Sequence, residues 1–226
     1  MLSYFLKNIF ITLYINIFLL ETSPEFNYDV CKAIIKYMLS SILLSSDFFL
    51  QNIDIDILKE INLNRNTQFD FFFQIITNSV SYIAWGLPVL LLLIGIAKHK
   101  IEIRKKALYL LVTVMVSSIL ILILKYGIDR PRPFDTYTFL EKVASGGSPS
   151  FPSGHTSEAF TIAIALCFVF RRWFVIIPSV LWAIAVGYSR MSLGVHYPSD
   201  VIVGAIIGVT VAFLCFKGKA TLERYN

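Results

Sequence analysis

The sequence predicts an all-α helical bundle embedded in a membrane and crossing it about six times, an expectation that rests on three observations. Apolar residues make up 56% of the 226, and charged residues only 15%, against roughly 25% in a soluble domain. The apolar residues gather into runs, several of which approach the ~20 needed to cross a bilayer as a helix. The cations fall in small clusters between those runs, the usual pattern of membrane topology. The net charge of +5 therefore argues for a bilayer as partner rather than nucleic acid. Cys31, Cys167 and Cys215 are widely spaced, form no pair motif, and read as packing residues.

The N-terminal elements are the least regular. Residues 4–20 are apolar but interrupted by Lys7, Asn8 and Asn16, and 33–50 carry Lys36, four serines and Asp47. The first run reads either as a span or as a signal peptide with Lys7 in its charged region. If one of the two runs crosses, the total is six. Next, Ile53, Ile57, Leu58 and Ile61 recur at helical spacing, with Asp54, Asp56, Lys59 and Glu60 on the other face. That pattern fits a short amphipathic helix, either at the membrane interface or in a solvated loop. No chemistry is expected of it.

Five clearer spans follow, at about 75–97, 107–124, 157–170, 173–188 and 201–216. The last three are short and must borrow flanking residues to reach full thickness. Lys98, Lys100, Arg104, Lys105 and Lys106 crowd one loop, Arg171 and Arg172 another, and Lys217, Lys219 and Arg224 mark the C-terminus. With these spans all three clusters fall on one side, which the positive-inside rule assigns to the cytoplasm. Three polar motifs then fall together on the opposite side.

The first motif is Lys125 followed by Arg132 between two prolines. Alone it would be a snorkelling pair at a helix end. However, this side should be poor in cations, and it holds Lys125, Arg130 and Arg132. Pro131 and Pro133 hold the backbone at Arg132 extended and so aim its planar fork, which suits phosphate. Asp129 and Arg130 are placed to pair with each other. The second motif, Pro152-Ser153-Gly154-His155, opens a helix. Ser153 fits the N-cap, Gly154 permits close backbone approach, and a helix N-terminus attracts anions. Ser-Gly before a helix is nonetheless commonplace. In the third motif Ser189-Arg190 closes one span, and His196-Tyr197-Pro198-Ser199-Asp200 opens the last. Pro198 suits the first helical position, and Asp200 in the first turn can reach back to His196. A carboxylate on one imidazole nitrogen leaves the other free to attack; the alternative is a plain capping acid beside an exposed histidine. His99 lies in the cationic loop and reads as solvated.

Lys-x6-Arg-Pro, Pro-Ser-Gly-His and Ser-Arg-x5-His-x3-Asp, in that order at these helix ends, resemble the type 2 phosphatidic acid phosphatase superfamily. The resemblance covers about residues 75–216 and misses no motif position. It implies a membrane bundle of the PAP2 type that hydrolyses lipid-linked phosphate or pyrophosphate. By that resemblance His196 is the nucleophile forming a phosphohistidine, Asp200 its orienter, and His155 the general acid and later base. Lys125, Arg132 and Arg190 then clamp the phosphoryl oxygens together with backbone N–H groups near Ser153 and Gly154. No metal and no cofactor is required, because the cations are already part of the chain.

The expected organisation is an N-terminal membrane segment with interfacial helix (1–74), a catalytic membrane core (75–216) and a cytoplasmic tail (217–226). The expected substrates are undecaprenyl pyrophosphate, phosphatidylglycerol phosphate or phosphatidate, at the outer face of a bacterial-type plasma membrane. The alternatives are a lipid A phosphatase, a lipid-to-lipid phosphotransferase and, outside enzymes, an anion transporter. Transporter polar groups sit near the bilayer midplane on broken helices, whereas these sit at helix ends. The loop 134–151 is too short for a recognition domain, and its Ser145-Gly146-Gly147-Ser148 stretch reads as flexible.

Overall fold

The computed structural model describes residues 52–140 and 147–225, with side chains described as far as residue 218. Asn52–Asn226 form one compact unit. The two N-terminal apolar runs, and with them the sixth span, lie outside the described residues. Among the described residues every regular element is helical.

Helix α1 covers residues 52–63. The 3-10 turn Thr67–Phe69 leads into α2 (Asp70–Ser81), which continues through one π turn, Tyr82–Gly86, into α3 (Leu87–Ala97). The π turn has a local cause. Pro88 lacks the N–H that Ala84 would bond in a regular helix, and the Leu87 N–H reaches back to Tyr82 instead. Helix α4 (Ile101–Ile128) returns across the bundle, and α5 (Pro133–Thr136) is a single turn. Helices α6 (Gly154–Phe170), α7 (Trp173–Ser192) and α8 (Pro198–Tyr225) complete the unit.

Four stretches are long and apolar enough to cross a membrane: Thr67–Ala97, Ile101–Thr136, Trp173–Ser192 and Pro198–Gly218. The spans read from hydropathy thus lengthen at their ends, where polar residues such as Lys125 sit inside the helix. Helix α6 lengthens only by three residues, to 17. At 1.5 Å per residue it rises about 25 Å, short of the ~30 Å hydrocarbon layer.

That short helix is the centre of the bundle, packed against α4, α7 and α8. Large apolar side chains are exposed along α2, α3, α4, α7 and α8, but none on α6. Its own face is small or hydroxylated: Ala159, Ala163 and Ala165 are fully buried, and Ser157 shares a hydroxyl cluster with Ser117 (2.9 Å), to which Thr161 donates (2.9 Å). Helix α8 meets it through two glycines one turn apart. A Cβ on Gly204 would stand 2.6 Å from the Ser153 carbonyl, and one on Gly208 would stand 2.5 Å from that of Ser157. This is the small-xxx-small contact by which membrane helices bring their backbones together.

The described cations of the three clusters gather at one end. Lys106 lies over the Phe170 ring (5.6 Å), Arg171 over Phe216 (5.8 Å), and Arg104 donates to the Gly95 carbonyl (2.9 Å). The C-terminal end of α4, the N-terminal ends of α6 and α8 and the C-terminal end of α7 meet at the other.

Candidate active site

The turn between α7 and α8 carries the third motif. Gly194 adopts φ 69°, a conformation that favours glycine, and reverses the chain. The N–H groups of Val195 and His196 then both bond the Arg190 carbonyl (3.2 and 3.3 Å). Pro198 starts α8, as its missing N–H suggests, which puts Asp200 in the first turn. Asp200 Oδ2 accepts the Tyr197 N–H (3.0 Å) and the Ser150 hydroxyl, and faces His196 Nδ1 at 3.4 Å. A carboxylate can only accept, so it favours the tautomer with the proton on Nδ1 and a lone pair on Nε2. That Nε2 stands 3.4 Å from Arg132 Nη1. His196 is buried, and burial pushes its imidazole down to about 3. The Asp200 hydrogen bond opposes that shift, while the charges of Arg190 and Arg132 reinforce it. The ring is therefore neutral near pH 7, as an attacking nitrogen must be.

The three nominated cations are themselves buried, and Arg132 and Arg190 act directly on this imidazole. Lys125, in the last turn of α4, donates to the carbonyls of Pro149 and Ser150 (3.5 Å to the latter). Arg132 has the extended backbone its flanking prolines predict, φ −79° and ψ 153°. It donates from Nε to the Ser148 carbonyl (2.7 Å) and from Nη1 to that of Val195 (3.0 Å). Arg190 donates from Nη1 to Thr77 Oγ1 on α2 (2.7 Å). Its Nε is also buried and has no hydrogen-bond partner among the described residues.

His155 lies in the first turn of α6, partly exposed, within electrostatic reach of Lys125, Arg132 and Arg190. The fold thus brings the pieces of all three motifs to one place. Ser153 is the N-cap residue, but its hydroxyl pairs with that of Thr156 (2.8 Å) rather than with a backbone N–H. Its own N–H donates to the Asp200 carbonyl (3.0 Å), tying the starts of α6 and α8 together. Of the two amides nominated for phosphate, that of Ser153 is engaged in the fold, while Gly154 opens the helix. A Cβ on Gly154 would meet only Ile121 and Lys125 side chains at 3.6 and 3.8 Å, so packing alone does not demand glycine there.

Several residues escaped the sequence reading. Arg130 does not pair with Asp129, which instead ends α4 in a left-handed conformation, φ 51°. Arg130 bonds Asp200 Oδ1 (2.7 Å) and Asp54 Oδ2 (2.9 Å) and lies over the Tyr197 ring (3.8 Å). Asp54 was expected on the wet face of α1 and is buried, whereas Ile53 and Ile57 are exposed. The packed stripe of α1 runs through Asp54, Leu58, Ile61 and Asn62, with Leu58 against Leu140 and Tyr197. Thr77 and Ser150 carried no signal, since each gains its partner only through the fold. Of the stretch read as flexible, Ser148 is held by Arg132, and Ser145 and Gly146 lie outside the described residues. Among the described residues no three His, Cys, Asp or Glu side chains cluster as a metal site.

The chain is 29% identical over 166 residues to the lipid A 4'-phosphatase of Bacteroides thetaiotaomicron, covering 71% of this chain and 74% of that one. It is 29% identical over 177 residues to the undecaprenyl-diphosphatase of Sulfolobus acidocaldarius, covering 76% and 82%. The structure resembles that of a transmembrane PAP2 type phosphatidylglycerolphosphate phosphatase from Bacillus subtilis, with TM-score 0.67 and 26% identity over 87% of this chain and 98% of that one. The PAP2 superfamily sequence profile matches residues 106–224, more than half of the chain and all three polar motifs. The protein, integral to the membrane, belongs to the PAP2 superfamily.

Proposed function

We propose that the protein hydrolyses a lipid-linked phosphate or pyrophosphate at the extracytoplasmic face of a plasma membrane, through a phosphohistidine on His196. The observation that carries this reading is the setting of His196. One ring nitrogen faces Asp200 and the other faces the guanidinium of Arg132, both at 3.4 Å. A phosphoryl group between that lone pair and the cations meets a nucleophile and a clamp at once.

Lys125, Arg132 and Arg190 hold the non-bridging oxygens, where charge spreads in the transition state, and the Gly154 amide adds a donor at the start of α6. The orphaned Nε of Arg190 is a donor suited to one of those oxygens. His196 Nε2 bonds to phosphorus as the bond to the leaving oxygen breaks. Asp200 stabilises the cationic ring that results, and His155 gives its proton to the departing lipid oxygen. His155 then takes a proton from water, which attacks the phosphohistidine and releases inorganic phosphate and free His196. The clamp supplies the charge stabilisation that a metal provides elsewhere.

The relatives named above act on lipid A, on undecaprenyl diphosphate and on phosphatidylglycerol phosphate, which share a phosphate on a membrane-held lipid. Undecaprenyl pyrophosphate is the first candidate. Outward placement of the site is supported by the cationic clusters gathered at the opposite end of the bundle.

The test is phosphate release by the purified protein from a panel of these lipids, in excess EDTA and with no added acceptor. Turnover is expected to persist in EDTA and to vanish in His196→Ala. Release from no lipid overturns the hydrolase reading, and phosphate appearing only when an acceptor lipid is supplied makes the protein a transferase. Loss in EDTA restored by Mg²⁺ overturns the mechanism.

A further inference from the structure

From its bonds across the fold we infer that Asp54 is a positioning residue for the nucleophile, acting through Arg130 and Asp200. This rests on the phosphohistidine reading of His196. Asp54 lies on α1, ahead of the segment that matches the PAP2 superfamily, and reaches a residue 145 positions away in sequence.

Its side chain performs two tasks. Oδ1 accepts the backbone N–H of Ser199 (2.8 Å), and Oδ2 accepts the Ser199 hydroxyl. The first amides of a helix have no acceptor within it, so Asp54 caps α8 from another helix, one residue before Asp200. Oδ2 also accepts from Arg130 Nη2 (2.9 Å), whose Nη1 bonds Asp200 Oδ1 (2.7 Å) and Ser199 Oγ (2.8 Å). Arg130 is thus bracketed by two carboxylates and stacked on Tyr197 at 3.8 Å.

The bracket explains why a fourth cation beside the clamp does not join it. With Asp54 present, Arg130 is satisfied on both sides, and Asp200 keeps Oδ2 for His196, Tyr197 and Ser150. Without the Asp54 charge, a largely buried guanidinium is left with Asp200 as its one carboxylate partner among the described residues. It then pulls that carboxylate toward itself and offsets more of the negative charge that stabilises the His196 cation during attack. Asp54 has no bond to Lys125, Arg132 or Arg190 among its described contacts, so its loss falls on the chemical step rather than on phosphate binding.

The experiment compares Asp54→Asn, Asp54→Ala, Arg130→Gln and the Asp54→Asn/Arg130→Gln double variant with the parent and with His196→Ala. Phosphate release gives kcat and KM, and thermal unfolding gives stability. Asp54→Asn preserves shape and an acceptor for Ser199, so it is the decisive variant if Asp54→Ala does not fold. It is expected to lower kcat roughly 10–100-fold, the scale of a lost hydrogen bond between charged groups, with KM within about twofold of the parent. The double variant should be no slower than Arg130→Gln alone. Parental kcat in a folded Asp54→Asn, a change confined to KM, or multiplicative losses in the double variant each overturn the inference. Failure of both Asp54 variants to fold assigns the residue to the scaffold and overturns it as well. These results are read against the controls: an inactive parent, or an active His196→Ala, removes the underlying hydrolase reading instead.

Discussion

Two imidazoles stand near the starts of neighbouring helices, His155 in the first turn of α6 and His196 in the turn before α8, and their different surroundings support the different steps proposed for them. His196 is fully buried and bracketed by Asp200 and Arg132, while His155 is partly exposed among the cations. On the proposed mechanism His196→Ala is expected to abolish phosphoenzyme formation with any substrate. His155→Ala removes a proton donor, typically worth ~10²–10⁴-fold, and that loss shrinks when the leaving group needs little protonation. With p-nitrophenyl phosphate, a single-turnover burst of nitrophenolate is expected from His155→Ala and not from His196→Ala. The opposite pattern exchanges the two roles. At this scale the sequence was most legible, because motif residues at helix ends declare themselves by type and spacing. Lys125, Arg132, His155, Arg190, His196 and Asp200 were all nominated that way, and the fold gathers them. Asp54, Thr77 and Ser150 were not nominated. An acid on an amphipathic helix, a threonine in an apolar run and a serine in a loop look ordinary until another element is laid against them.

Helices α6 and α8 are held together by contacts at the backbone. Gly208 on α8 faces the Ser157 carbonyl and the Thr161 N–H of α6 at distances of 2.5 and 2.9 Å from an added Cβ, and neither group can step aside as a side chain can. Gly208→Ala should therefore destabilise the protein by about 1–3 kcal/mol, as overpacking does, and lower activity by spreading the helices that carry His155 and Asp200. Gly218→Ala is the control, since nothing lies within 4 Å of its Cβ. It should be neutral or stabilising by up to about 1 kcal/mol. Thermal unfolding in detergent measures both, and equal melting temperatures for the two variants would remove the backbone-contact account. The glycine pair is visible in the sequence as a small-xxx-small pattern, but the hydropathy reading passed over it. Hydropathy also missed where α4 and α7 end, because it stops at the first charge while the helix carries Lys125 and Arg190 within its last turns.

Among the described residues, the cations are divided between the two ends of the bundle, loop cations at one and site cations at the other. A cysteine placed at Thr136, beside the site, should react with a membrane-impermeant reagent in intact cells. One placed at Glu102 should react only after the membrane is opened. The reverse labelling would turn the protein over and make its substrate a lipid of the inner leaflet. How many times the chain crosses in total depends on residues 1–51, where broken apolar runs make hydropathy a poor guide.

The central helix is about 5 Å shorter than the hydrocarbon it stands in. A span that short is expected to hold its start, and the imidazole on it, near the boundary where lipid esters lie rather than out in the water. A substrate is expected to reach such a centre from within the leaflet, with its tail left among other tails. The ~0.8 kcal/mol per methylene that lifting a chain into water costs is never incurred. The enzyme is then expected to meet its substrate as a two-dimensional solute, with a rate that follows the mole fraction of phosphorylated lipid in the leaflet rather than any concentration in the surrounding medium.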